Sequence, residues 1–284
     1  MMDSSSGNLK IENIKKVKAI HGWLWINEGV RYFIQAKYMW LASLFLFGSF
    51  TMLAMYLMPI SQIALIFIFP FITAGLSLAC VDMERGQPMT IDYLLKAFAS
   101  TNRVNIFRYG FVLILMMIVA QLVASILLSV YGISQEQISS EFLIFRNTEN
   151  ASFGSILQSP ILSAYFIVTV ISMLPIIVIN LLSPIILVFT DLTAFQAVKL
   201  SIVAGLRNLS TFIVYGVIYI GLIILLVVFF NVFSSLLFSV FGDESIIATI
   251  IYLTGFFTAL LVLASISYSS AYVAFKDIFL GEEN

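Results

Sequence analysis

Ionisable side chains are absent from long blocks of this chain and crowd into the stretches between them. From Tyr38 to Val81 there is no Asp, Glu, Lys, Arg or His. A hydrocarbon layer about 30 Å thick takes roughly 20 apolar residues as a helix. That block is therefore long enough for two spans, and Met58-Pro59 divides it at a turn. Further uncharged runs follow, and the expected spans are about 38–58, 60–81, 109–131, 160–190, 209–241 and 245–275. The pattern predicts an all-α, polytopic membrane bundle of six transmembrane helices. The last three runs exceed what a perpendicular span needs, so they tilt, kink or protrude.

The segment over residues 10–37 is too charged to span. Ile14, Val17, Trp23, Ile26, Val30 and Phe33 recur at spacings of three, four or six, with the basic residues at other positions. This predicts an amphipathic helix lying on the inner leaflet. Its contacts with anionic lipid headgroups would be Lys15, Lys16, Lys18, Trp23, Trp25, Arg31 and Lys37, each basic residue contributing about 1 kcal/mol. Residues 1–9 are Ser-rich and expected to be disordered. The first apolar run is too long for the core of a cleaved leader, so it is expected to remain as the first helix. Short helices are expected over 91–101, capped by Thr90, and within 191–208, capped by Asp191 or Thr193. Another, capped by Ser134, would end in the exposed apolar run Phe142-Leu143-Ile144-Phe145. Residues 276–284 form a tail.

Composition narrows the class. Hydrophobic residues make up 61% and charged residues 10%, against about 45–50% and 25% in soluble domains. An ordinary cytosolic enzyme, a disordered chain and a nucleic-acid binder are excluded. Basic residues favour cytoplasmic loops. With the N-terminus inside, segments 1–37, 82–108, 191–208 and 276–284 hold every basic residue except Arg146. Both termini are therefore expected in the cytoplasm. The single Cys80 and single His21 exclude an internal disulfide and a multi-histidine metal site. No metal or cofactor is expected, and His21 reads as a solvated or interfacial histidine.

No ionisable residue lies deep in a span, which weighs against proton pumps, voltage sensors and intramembrane proteases. Asn180 stands out, between Pro175 and Pro184 in the fourth span. A proline-broken helix with a polar side chain at mid-depth is what a transporter or channel for a small neutral or amphiphilic solute would use, making Asn180, Pro175 and Pro184 substrate-binding candidates. The plainer reading is a kinked helix whose Asn bonds to a neighbouring helix. Asp82 and Glu84 read as members of a solvated loop, with acid/base chemistry on the cytoplasmic face as the competing view. Gly75 with Ala79, and Ala264, Ser267, Ala271 and Ala274, are suited to close helix packing. The order proline-containing helix, short helix, long helix opening near Tyr109-Gly110 or Tyr215-Gly216 occurs twice, as in a parallel duplication.

The opening Gly22-Trp23-Leu24-Trp25-Ile26-Asn27-Glu28-Gly29, followed by the Trp40 helix, resembles a family of uncharacterised bacterial, mainly proteobacterial, multi-pass inner-membrane proteins. Phe69-Pro70, Ala74-Gly75, the Glu84-Arg85-Gly86-Gln87-Pro88 turn and Leu95-Lys96-Ala97-Phe98 extend the likeness over residues 22–110. The resemblance implies a helical bundle in the bacterial inner membrane and no particular activity. The expected role is non-enzymatic, through contact with lipid or a membrane-protein partner, in an accessory or envelope-homeostasis capacity. A C-terminal alkaline phosphatase fusion should be inactive, and phosphatase activity would contradict the inside C-terminus.

Overall fold

The computed structural model describes residues 13–57, 61–147, 156, 158–242 and 245–281. The expectations for residues 1–9, for the Met58-Pro59 turn and for residues 282–284 of the tail fall outside them. The helices are α1 (His21–Gln35), α2 (Lys37–Leu57), α3 (Ser61–Glu84), α4 (Tyr93–Lys96, continued by one 3-10 turn), α5 (Arg103–Val130), α6 (Gln135–Asn147), α7 (Pro160–Phe189), α8 (Ala194–Arg207), α9 (Leu209–Phe241) and α10 (Ile246–Phe279). Among the described residues there is no strand. Six helices, α2, α3, α5, α7, α9 and α10, are long and apolar enough to cross a membrane. The chain is a multi-pass membrane protein.

Local chemistry sets most helix ends. Ser159 accepts from the Leu162 amide, and Pro160 sits in the first turn of α7, where its missing donor costs nothing. Thr193 and Gln196 form a reciprocal capping box on α8. Ser134 and Gln137 exchange the same pair of bonds ahead of α6, and Ser245 caps α10. Gly132 and Gly242 stop α5 and α9 at φ of 76° and 85°, a conformation side chains rarely tolerate. Thr90 does not cap a helix over 91–101. Its hydroxyl is taken by the Asp92 carboxylate, and only the short α4 and its 3-10 turn form there.

The expected break in the fourth span is absent. α7 runs unbroken from Pro160 to Phe189 through Pro175 and Pro184. A proline removes one backbone bond per ring, and the turn around Pro184 is buried on all sides, which holds it helical. The expected single helix over 10–37 is also corrected. Residues 13–18 are non-helical, and α1 begins only at His21. The Lys15 amide donates to the Ile278 carbonyl (2.9 Å), so this stretch is bonded to α10 as a strap rather than to itself as a helix.

The packed core lies at one end, here called the charged pole. Trp25, Tyr109, Leu182, Ile185 and Phe275 belong to one buried cluster, and Trp40, Leu76, Tyr93 and Tyr272 to an adjoining one. Away from the pole the helices pair off. Ser61 of α3 reaches the Ala54 carbonyl of α2 (2.7 Å). Ala124, Leu128, Ile138 and Leu162 are buried among α5, α6 and α7, and Phe230 of α9 meets Tyr252 and Phe256 of α10.

Two glycines bring α1 into the pole. A Cβ on Gly22 would lie 2.5 Å from the Thr211 carbonyl oxygen and 2.6 Å from the Tyr215 amide of α9. One on Gly29 would lie 2.4 Å from the Ser270 hydroxyl and 3.0 Å from the Ile266 carbonyl of α10. Backbone cannot yield as a side chain can, so any Cβ here pushes α1 outward. Gly22→Ala and Gly29→Ala should each destabilise the detergent-solubilised protein by about 1–3 kcal/mol, the range for overpacking. Gly221→Ala, in open space, should leave thermal unfolding unchanged.

Candidate functional site

The strap over residues 13–18 is built into the pole by Asn208, the residue between α8 and α9. Its Oδ1 accepts from the Val17 amide (2.8 Å), and its Nδ2 donates to the Lys15 carbonyl (2.8 Å) and the Ala204 carbonyl (3.1 Å). The Thr211 hydroxyl reaches the Val17 carbonyl (3.3 Å). With Ile278 on the other side, the strap is gripped from α9 and α10 together. Ile14 and Val17 pack against the core.

Beside the strap, Asp277 near the end of α10 accepts through Oδ2 from Trp25 Nε1 (2.8 Å) and contacts His21 Nδ1 (2.8 Å). His21 was expected to be solvated or interfacial. It is half-buried beside a carboxylate that lies 256 residues away in sequence. Between strap, α1 and α10 lies a cleft of about 590 Å³ lined by Lys15, Lys16, Lys18, His21, Arg207 and Asp277, among others. Among the described lining residues, three lysines and one arginine share the cleft with one carboxylate, whose Oδ2 is already taken. The Lys15 ammonium is shielded from solvent and has no acceptor among the described residues. A shielded ammonium with no acceptor among the described residues calls for a negative partner. The arrangement can hold an anion, with charge-assisted bonds from several directions.

The seven residues expected at a lipid surface divide. Lys15, Lys16 and Lys18 gather at the cleft. Trp23 is 47% exposed. Trp25 is corrected: it is 1% exposed, tilted against Phe212 and Tyr215, with its indole N–H satisfied inside the protein, so it is a core residue. Arg31 pairs with Glu28 at 2.7 Å along α1, and Lys37 stands over the Tyr38 ring at 5.1 Å. Asn180, Pro175 and Pro184 have different surroundings. Tyr109 donates to Asn180 Oδ1 (3.3 Å) across to α5, Pro184 is buried, and Pro175 lines an apolar groove of about 200 Å³.

Asp82 and Glu84 are tied into the fold. The Tyr32 hydroxyl donates to Glu84, and Lys276 Nζ reaches the same oxygen at 2.8 Å. Tyr93 donates to Asp82 at 2.6 Å, and the Lys96 ammonium lies near the same carboxylate at 3.9 Å. Burial, and then the Glu84 carboxylate, push the Tyr32 phenol well above its ordinary value. These bonds join α1, α3, α4 and α10. Among the described residues, no three His, Cys, Asp or Glu side chains gather as a metal site would require.

Sequence reasoning missed Asn208 and Asp277 and did not place Arg207 beside the lysines. One signal was present: Asn102 and Asn208 each stand seven residues before a Tyr-Gly pair. No protein-family model, curated protein or solved structure matches the chain. Asn208→Ala would orphan the Val17 amide and the Lys15 carbonyl, at about 1–3 kcal/mol per buried group. Trypsin should then cut after Lys15, Lys16 and Lys18 at least fivefold faster than in the unsubstituted protein, which peptide mapping would detect.

Proposed function

We propose that this is a non-enzymatic inner-membrane protein of a bacterium that acts through contact with anionic lipid headgroups at its charged pole, in an accessory or envelope-homeostasis role. Both termini face the cytoplasm in this reading, and the pole lies at the inner leaflet. The shielded ammonium of Lys15, with no acceptor among the described residues, supports it most directly. Three further cations around the same cleft share the demand for negative charge. Phosphate-bearing headgroups at the inner leaflet meet that demand, each nearby basic residue contributing about 1 kcal/mol. The sorting of basic residues onto one side of the spans agrees with the same placement.

The test is the lipid that co-purifies in mild detergent. The unsubstituted protein should be enriched in anionic over zwitterionic phospholipid relative to the source membrane. Replacing Lys15, Lys18 and Arg207 together by Gln should lower that enrichment at least fivefold, with unchanged thermal unfolding. Raising the salt concentration should lower it too, since exposed charges are screened. Equal anionic content in the two proteins would sink the reading.

A further inference from the structure

The basic cleft has an apolar neighbour. Arg207 lines it, and the preceding residue, Leu206, lines a second depression of wholly different character. That groove, about 200 Å³, is walled by Leu174, Pro175 and Val178 of α7, Ile202 and Gly205 of α8, and Phe212 of α9. Its one polar lining residue, Ser201, has its hydroxyl occupied by Ser183 (2.8 Å) and the Ala197 carbonyl (2.9 Å). α8 forms the groove by folding back along α7. Ser201 meets Ser183, and Gly205 comes so close to Val178 that a Cβ would lie 2.9 Å from its methyl. Pro175 lacks an amide hydrogen, so it adds a smooth apolar wall without a donor.

We propose that cleft and groove are two parts of one site that binds a single anionic glycerophospholipid, its phosphate in the cleft and one acyl chain in the groove. This rests on the headgroup reading above and narrows it from a charged surface to a defined, one-lipid site. Among the described residues lining the cleft, Lys15, Lys16, Lys18 and Arg207 outnumber Asp277, whose Oδ2 is held by Trp25 and His21, and this favours an anion. The groove favours a hydrocarbon chain because it offers no free polar group and lies among membrane-crossing helices. The cleft and the groove have consecutive residues of α8, Arg207 and Leu206, in their walls, which places them side by side. The ligand is thus a lipid from the membrane rather than a soluble phosphate ester, which would leave the groove empty. Pro175 acquires a role as a wall of the chain-binding half.

The experiment uses the full chain in detergent, titrated with phosphatidylglycerol and followed by native mass spectrometry. One adduct should saturate before others appear. Lys15→Gln should weaken that first adduct about tenfold, and so should Ile202→Trp, which fills the groove and leaves every cation in place. Leu206→Trp serves as a second groove variant if Ile202→Trp unfolds. Phosphatidylcholine and glycerol phosphate should each compete at least a hundredfold less well than phosphatidylglycerol. If Lys15→Gln weakens binding but neither groove variant does, the one-lipid site fails while the headgroup reading stands. If adducts accumulate without a distinct first one and no variant alters them, both fail. Glycerol phosphate binding as tightly as the lipid would overturn the assignment in favour of a soluble ligand.

Discussion

Oδ2 of Asp277 lies 2.8 Å from both Trp25 Nε1 and His21 Nδ1, and that geometry exists only because α1 lies hard against α9 and α10. Gly22 and Gly29 permit the approach, since any larger residue would meet backbone. Once α1 is there, Trp25 is sealed between Phe212 and Tyr215. The chain leading into α1 must then cross the start of α9, where Asn208 holds it. The basic cleft follows from this sequence of constraints. Its lysines are aligned because the backbone beneath them is clamped, and the clamp is in register because Asp277 has fixed the helix that follows.

The rest of the bundle answers a different demand. In a membrane every backbone donor and acceptor needs a partner within the protein, and apolar burial against a neighbouring helix gains little over burial in lipid. The pole meets this with small side chains and hydroxyls. Ser265, Ser269 and Ser270 are buried on α10 and bond back to their own helix, and Ser269 also reaches the Gly29 carbonyl at 3.0 Å. Away from the pole the helices need only span. There they keep long, exposed apolar surfaces and touch mainly in pairs. Precise packing and polar chemistry are therefore found in the same half of the molecule.

The span positions were legible because hydropathy is a local property. The expected run 209–241 and the helix Leu209–Phe241 share their bounds, and α7 differs from its run by one residue. What failed depended on distant partners. A tryptophan near a membrane boundary reads as interfacial, but Trp25 finds its acceptor 252 residues away. The lysines of the strap suit one face of an amphipathic helix, yet tertiary bonds to Asn208 and Ile278 hold that stretch out of helix. Pro175 and Pro184 suggested a break, and the packing around Pro184 holds the helix continuous. The candidate site was half legible. Lys15, Lys16 and Lys18 could be read from the basic run, but Arg207 and Asp277 could join them only through the fold.

The two asparagines connect the site to the architecture. Asn102, ahead of α5, aims its amide at the carbonyls of Leu187, Thr190 and Leu192, the end of α7 and the turn beyond it. Asn208, ahead of α9, grips the carbonyl of Lys15 and the amide of Val17 in the same manner. Each precedes a Tyr-Gly pair by seven residues. In the first case the gripped segment is the end of α7 and the turn beyond it. In the second it is the lysine-bearing strap. The same kind of backbone anchor thus joins α5 to the end of α7 at Asn102 and holds the lysine-bearing strap at Asn208, and the difference lies in which segment the asparagine grips.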